Sequence, residues 1–364
     1  MGCLFGSYLS KKNDVYLVDV DPKCVESISQ HGVQIVEQDG EAWTAHPKAV
    51  LNSQGLGRMD LVIVFVKSMY TIAALEANRG LIGAGTYVMT LQNGAGHESK
   101  LLQFADRDHV IIGTTQHNSS LLGNGHVRHG GSGRTSIGLL GGDSERIRPI
   151  ADTLTACGFE CSISDGVARQ IWSKLFLNSA ASTLTGILQA PLGFILENPH
   201  ACDLMERLAH EAVATANALG VGPFETGRVI EEIKQVLANA RMGYTSIYAD
   251  LQQGNRTEVD TIAGSVVAAA KEAGVPVPYH EMAVALVHAM EERKQWKWRR
   301  DREDVRLSTG ESAGDRPDEI SGSCDGDAAV SPVPVQYGRP DPGLPHDHGP
   351  DEPSGDPLRM SLSS

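Results

Sequence analysis

Short apolar runs, each bounded by Gly, Asp or Asn, dominate the first part of the chain. VYLVDV (15–20), DLVIVFVKS (60–68), TYVMTLQNG (86–94), HVIIGTT (109–115) and RTSIGLL (134–140) are rich in Val, Ile and Thr. Runs of this kind read as strands buried on both faces, the condition that a parallel sheet imposes. Helical patterns such as Thr71 to Leu81 fall between them. Strand and helix in alternation make a doubly wound α/β sheet the economical architecture for residues 1–163. From about Asp165 the period lengthens: VARQIWSKLFLNSAASTLTGIL, PHACDLMERLAHEAVATANALG, TGRVIEEIKQVLANA, TSIYADLQQGNRTEVDTIAGSVVAAAKEAG and PYHEMAVALVHAMEERKQWKW all repeat apolar residues at helical spacing. Gly220 and Gly274 each follow an alanine-rich run, as helix stops do. Residues 164–298 therefore read as an all-helical domain.

After about Arg300 the composition changes. Nine of the 17 prolines lie beyond Arg316, among many Gly, Ser and Asp. So few apolar residues do not offset the entropy of ordering, and 299–364 reads as a disordered acidic tail. The net charge of −14 is largely its doing: from Asp301 onward there are 14 acids and 5 arginines, so the tail holds −9 of it. The remaining −5 is an ordinary surface with no basic stripe, which makes nucleic acid an unsuitable partner. With no apolar run of membrane-spanning length and no signal-peptide pattern, the expectation is a soluble, cytoplasmic protein with no membrane partner. The six scattered cysteines read as reduced structural thiols, since Cys157 and Cys161 have neither CxxC nor metal-knuckle spacing.

Candidate chemistry falls at strand ends and on two helical stretches. Lys67 directly follows DLVIVFV and Asn93 follows YVMTLQ, the C-terminal strand mouths where open α/β sheets hold ligands. Together a lysine and an amide there suit a carboxylate and a carbonyl or ribose; singly, each is also an ordinary loop residue. Lys174 and Asn178 stand four apart and share a helix face. Among Trp172, Leu175, Phe176 and Leu177, the lysine is either a desolvated proton donor or a side chain snorkelling at the helix edge. Ser246 and Asp250 lie one turn apart, with Glu258 two turns on if the helix continues; the carboxylates bind a substrate hydroxyl or pair with Arg256 or Lys271. HVRHGGSGRTSIG (126–138) lacks the ending of a phosphate loop, and its glycines suit a hairpin. HDHG (346–349) suits a solvated tail tip better than a metal site. No metal site is expected.

The opening MGCLFGSYLSKKNDVYLVDVDP holds half a dinucleotide fingerprint. Gly2 stands where its last glycine begins a helix, and Asp19 ends the following strand near the place of the ribose-binding acid. With VKS, LQNGAG, WSKLFLNS and GNRTEVDTIAG in this order, the chain from residue 1 to 292 resembles the ketopantoate reductase (2-dehydropantoate 2-reductase) family. The resemblance implies a Rossmann domain followed by a helical domain, and NADPH-dependent reduction of ketopantoate to pantoate on the way to coenzyme A. It implies Lys174 as the general acid and Glu258 as the carboxylate for the substrate hydroxyl. Gly2, Asp19, Lys67 and Asn93 fall at cofactor positions, and Asn178, Ser246 and Asp250 on the substrate side. Three features depart from the pattern. Ser182 stands where many members have a second asparagine, and Asp19 with Asp21 favours a free ribose hydroxyl, so NADH is a real alternative to NADPH. The first strand and its glycine turn are absent from the beginning. Without that central strand the sheet is expected to lose two ladders, and deleting residues 305–364 is expected to leave activity unchanged. A 2-hydroxyacid dehydrogenase acting on another branched 2-keto acid and a non-catalytic remnant are the alternatives. The helical domain also offers faces for a homodimer.

Overall fold

The computed structural model describes residues 1–309 and 357–363. Its strands are β1 (Asp14–Val18), β2 (Val33–Val36), β3 (Ala42–Ala45), β4 (Lys48–Val50), β5 (Leu61–Val64), β6 (Tyr87–Thr90), β7 (Val110–Thr115), β8 (Asn118–Gly123), β9 (His126–Gly131), β10 (Thr135–Leu139), β11 (Cys161–Ile163) and β12 (Arg359–Ser363). Eight form one sheet in the order β11-β10-β7-β6-β5-β12-β1-β4, covered on one side by a cluster that includes Leu4, Phe5, Leu17, Ile63, Met89 and Phe159, and on the other by Val62, Val64, Leu75 and Val88. β5 is buried throughout, as the run LVIV requires at the centre of a covered sheet. One expectation fails in part: β10 runs antiparallel to β7. The apolar run by itself carries no strand direction.

A second sheet, β3-β2-β9-β8, is hydrogen-bonded separately and shares the first cluster through Val33, Ile35 and Val127. The stretch 126–138 supplies β9 and β10, and the tight turn of its hairpin falls before it, between β8 and β9, where Gly125 has φ +68°.

The main correction concerns the first strand. The slot that it would fill, between β1 and β5, is occupied by β12, from the other end of the sequence. β12 is parallel to both neighbours, pairing Asp14–Val18 with Arg359–Ser363 and Leu61–Val64 with Met360–Ser363. Both ladders expected to be lost are therefore made. Met360 and Leu362 are fully buried, and Ser361 is 1% exposed. The disordered-tail expectation is accordingly overturned at 357–363, and also at 299–309, which continue the last helix of the second domain. Residues 310–356 and 364 lie outside the described residues.

The helices of the first domain include α1 (Gly2–Leu9), α2 (Pro22–His31), α3 (Thr71–Ala77), α4 (Glu98–Leu101) and α5 (Arg148–Ala156). The second domain is all helical: α6 (Val167–Leu177), α7 (Thr183–Leu188), α8 (Leu192–Glu197), α9 (Pro199–Ala218), α10 (Thr226–Asn239), α11 (Ser246–Gln253), α12 (Ala263–Ala273) and α13 (Pro278–Thr309). α9 lies within its core, burying Met205, Leu208, Ala209, Ala212, Val213 and Ala216. Gly220 and Gly274 have φ +74° and +68°, the left-handed stops expected of them. The stretch 245–274 is two helices rather than one. Gly254 ends α11 in the left-handed region, and Glu258 lies in the turn before α12. None of the described helices is long and apolar enough to cross a membrane.

Candidate active site

β5 and β6 end side by side, so Lys67 and Asn93 leave the sheet at one edge. The Gln92 side chain ties the two exits together, donating from Nε2 to the Val66 carbonyl (2.6 Å) and to Thr71 Oγ1 (2.9 Å). α6 brings its lysine to the same edge from the helical domain. Trp172, Leu175 and Phe176 are buried around it, and Lys174 Nζ donates to the carbonyl of Thr115, the last residue of β7 (2.8 Å). Burial disfavours the charged amine and lowers its pKa from 10.5 to about 8, against the opposing pull of the Glu258 charge. Asn178 opens a π-helical turn, Asn178–Ser182, a distortion frequent at functional positions. One cavity is lined by Asn93, Lys174 and Asn178 together with Gln92, Gly94 and Thr114.

Beside this cavity the two domains are clasped. Lys67 Nζ pairs with Asp250 Oδ1 at 2.7 Å and donates to the Arg256 carbonyl at 3.0 Å. Glu258 Oε1 accepts from the Ser68 backbone N–H at 3.0 Å, and Thr261 Oγ1 donates to Ser68 Oγ at 2.8 Å. The Asp250 and Glu258 partners are therefore Lys67 and Ser68 of the other domain, and neither carboxylate pairs with Arg256 or Lys271. Ser246 is exposed at the start of α11 and does not line the cavity.

Gly2 and Asp19 lie further along the same edge. β12 and β1 end in register at Ser363 and Val18, with Asp19 immediately after, and buried Gly2 begins α1. Asp19 Oδ1 accepts from the Asp21 N–H (2.9 Å), whereas Asp21 caps α2 through Lys23 N–H. A helix N-terminus, a carboxylate at a strand end, then a lysine and an amide at neighbouring strand ends supply part of the set that holds a dinucleotide, without the glycine turn, which is not among the described residues. The residues present fit the ribose and nicotinamide side of that group.

Several contributors were not visible in the sequence. His97 is 4% exposed, its Nε2 lies 2.9 Å from the Asn93 carbonyl, and its pKa falls to about 4 because burial penalises the cation. It therefore braces the Asn93 turn as a neutral ring, and its place four residues after Asn93 is the one local hint. Gly94 has φ +99° and lies so close to the Thr261 carbonyl that a Cβ would collide with it. His129, from the glycine-rich stretch 126–138, holds Glu37 at 2.7 Å and His117 at 3.0 Å. Tyr8 and Trp43 donate to the other Glu37 oxygen, so this network ties α1 to the second sheet. Among the described residues no group of three or more His, Cys, Asp or Glu is placed to hold a metal ion.

Two family models match the chain: "Ketopantoate reductase PanE/ApbA" over residues 1–142 and "Ketopantoate reductase PanE/ApbA C terminal" over 167–291. The 2-dehydropantoate 2-reductase of Halobacterium salinarum is 31% identical over 76% of this chain and 91% of its own length. That of Lactococcus lactis is 30% identical over 80% of this chain and 95% of its own. Among solved structures, a D-mandelate dehydrogenase with NADH and anilino(oxo)acetate superposes with TM-score 0.75 at 29% identity, covering 80% of this chain and 95% of that one. The 2-dehydropantoate 2-reductase of Geobacter metallireducens gives 0.74 at 27%, covering 79% and 95%.

Proposed function

The chain belongs to the ketopantoate reductase family, and on that premise we propose that it reduces ketopantoate to pantoate with a nicotinamide dinucleotide, NADH in preference to NADPH. One observation carries the reading: a desolvated lysine shares a cavity with the amides of Gln92, Asn93 and Asn178 at the mouth of a dinucleotide-type sheet. The bound dinucleotide would supply a hydride to the substrate's C2. As that carbon accepts the electron pair, the carbonyl π electrons move to oxygen, and Lys174 gives its proton to the developing alkoxide. With a pKa of about 8 the amine is still mostly protonated at pH 7, yet it is a stronger acid than an ordinary lysine. Its charge also favours the transition state over the neutral ketone, because the alkoxide exists only there. In this reading Asn93 and Lys67 hold cofactor and carboxylate, Asn178 binds substrate, and Glu258 takes its terminal hydroxyl, while exposed Ser246 is left without the substrate role that the resemblance implied.

Asp19 supports the choice of cofactor. A carboxylate at the end of β1 accepts ribose hydroxyls and repels a 2′-phosphate, and Lys23 of α2 is the only base close by in sequence. The NADPH implied by the resemblance is the rival. Steady-state kcat/KM with both cofactors, on ketopantoate, 2-ketoisovalerate and an aryl 2-keto acid, tests both choices. A preference for either of the other acids would overturn the ketopantoate assignment, and a preference for NADPH would overturn the role of Asp19. The same reading includes a cytoplasmic homodimer, which cell fractionation and sedimentation test.

A further inference from the structure

Glu258 reaches the Ser68 N–H from a segment that has no helix or strand to fix it. Residues 255–262, between the Gly254 stop and α12, belong to neither kind of element, so their position depends on side-chain anchors. Two anchors flank Glu258, and both come from one face of α13, where His288 and Glu291 stand three apart. Glu291 Oε1 accepts from the Thr257 N–H at 2.7 Å. Its other oxygen lies 3.0 Å from His288 Nδ1, and His288 Nε2 lies 2.9 Å from Asp260 Oδ1. Thr257 and Val259 are buried, so the backbone is pinned immediately before and after Glu258.

The ring's chemistry suits the bridge. Carboxylate oxygens at both nitrogens are satisfied together only by the imidazolium, which has two N–H donors; the neutral ring has one and turns a lone pair on the other carboxylate. Burial lowers the His288 pKa, but Glu291 and Asp260 outweigh it and hold it above 6.5. Among the described residues the other charges nearby are Arg256, 3.6 Å from Asp260 Oδ2, and Lys100 of α4, which feels Asp260 and Glu258. None of these groups lines the cavity that holds Lys174.

We propose that His288 is a positioning residue: by bridging Asp260 and Glu291 through both ring nitrogens it fixes residues 255–262 against α13, and so sets Glu258 where it meets Ser68 and the terminal hydroxyl of the substrate. The substrate part rests on the reductase reading of Glu258, and the loop part does not. In this role His288 governs the binding of a hydroxyl-bearing keto acid from outside the cleft, while hydride transfer and protonation by Lys174 proceed as before.

The test uses full-length chains. His288→Ala removes the bridge, and Asp260→Asn, at an exposed position, weakens it from the loop side; far-UV circular dichroism establishes that each variant is folded. Amide hydrogen exchange then reads the loop directly. The Ser68 N–H, in the other domain and bonded to Glu258, should exchange at least about fivefold faster in both variants, with β1 unchanged. Unchanged exchange at Ser68 overturns the positioning role, whatever the enzyme's substrate. Steady-state kinetics read the consequence. KM for ketopantoate should rise about tenfold, as for loss of one hydrogen bond to a charged group, while kcat, and KM for 2-ketoisovalerate, change less than about twofold. A fall in kcat for both acids alike marks a general structural defect and overturns the proposal. Glu258→Gln is the reference. If it discriminates between the two acids and His288→Ala does not, the role of His288 in substrate binding is overturned. If neither discriminates while Ser68 exchange quickens, the loop role stands and the reading of Glu258 is what fails.

Discussion

Replacing Lys174 by methionine should slow catalysis severely and make the protein more stable. Burial lowers the lysine's pKa from 10.5 to about 8, and each pH unit of such a shift corresponds to about 1.4 kcal/mol, so holding the ammonium in the fold costs about 3 kcal/mol. The sign follows from proton linkage. Below about pH 8 the lysine is charged in both folded and unfolded chains, and the full cost is present. Between pH 8 and 10.5 the unfolded chain binds more protons, so stability rises with pH and the cost fades. Methionine removes the charge, fills similar space and forgoes a bond of about 1 kcal/mol to the Thr115 carbonyl. The net gain at pH 7 is about 2 kcal/mol, or roughly 4–8 °C in Tm for a unit of this size. Scanning fluorimetry of both proteins at pH 7 and pH 9.5 measures it, and the gap should shrink by about 2 kcal/mol at the higher pH as the wild-type lysine deprotonates. Turnover should fall about 10²- to 10⁴-fold while cofactor binding persists. A gap independent of pH, or a variant less stable than wild type at pH 7, would refute the desolvated-lysine reasoning.

The rate of keto-acid reduction by the wild-type protein should fall as pH rises through about 8, where Lys174 loses the proton that it donates; a kcat profile flat from pH 6 to 10 would remove it as the acid. Leu362→Ala should cost about 2–5 kcal/mol, since the side chain is fully buried between β1 and β5. Deleting residues 357–363 should go further and abolish cofactor binding, reversing the expectation that the tail is dispensable; calorimetric titration of the purified deletion with NADH checks this. Gly94→Ala should weaken the domain clasp, because its φ of +99° and the adjacent Thr261 carbonyl leave no room for a Cβ, and should lower kcat/KM at least tenfold. Glu258→Gln should raise KM for ketopantoate far more than for 2-ketoisovalerate, which lacks the terminal hydroxyl; equal effects on both would argue against that contact.

What the sequence determined by itself was local. Lys174 and Asn178 share a face because four residues make about one turn of any α-helix, and Lys67 and Asn93 reach one edge because each follows a run that only a covered strand tolerates. The left-handed stops at Gly220 and Gly274 were legible for the same reason. Tertiary structure decided whatever depended on which segments meet. The direction of β10 is not written in an apolar run, and the break at Gly254 moved Glu258 out of its supposed helix and onto the Ser68 N–H. His97 and the Thr115 carbonyl matter only because distant segments bring Asn93 and Lys174 to them. The first strand shows the division most clearly. RMSLS offers two apolar residues in a polar, proline-rich context, too little for local pattern to mark a central strand. Its place between β1 and β5 comes from two ladders and a buried slot supplied by residues some 300 positions earlier in the chain.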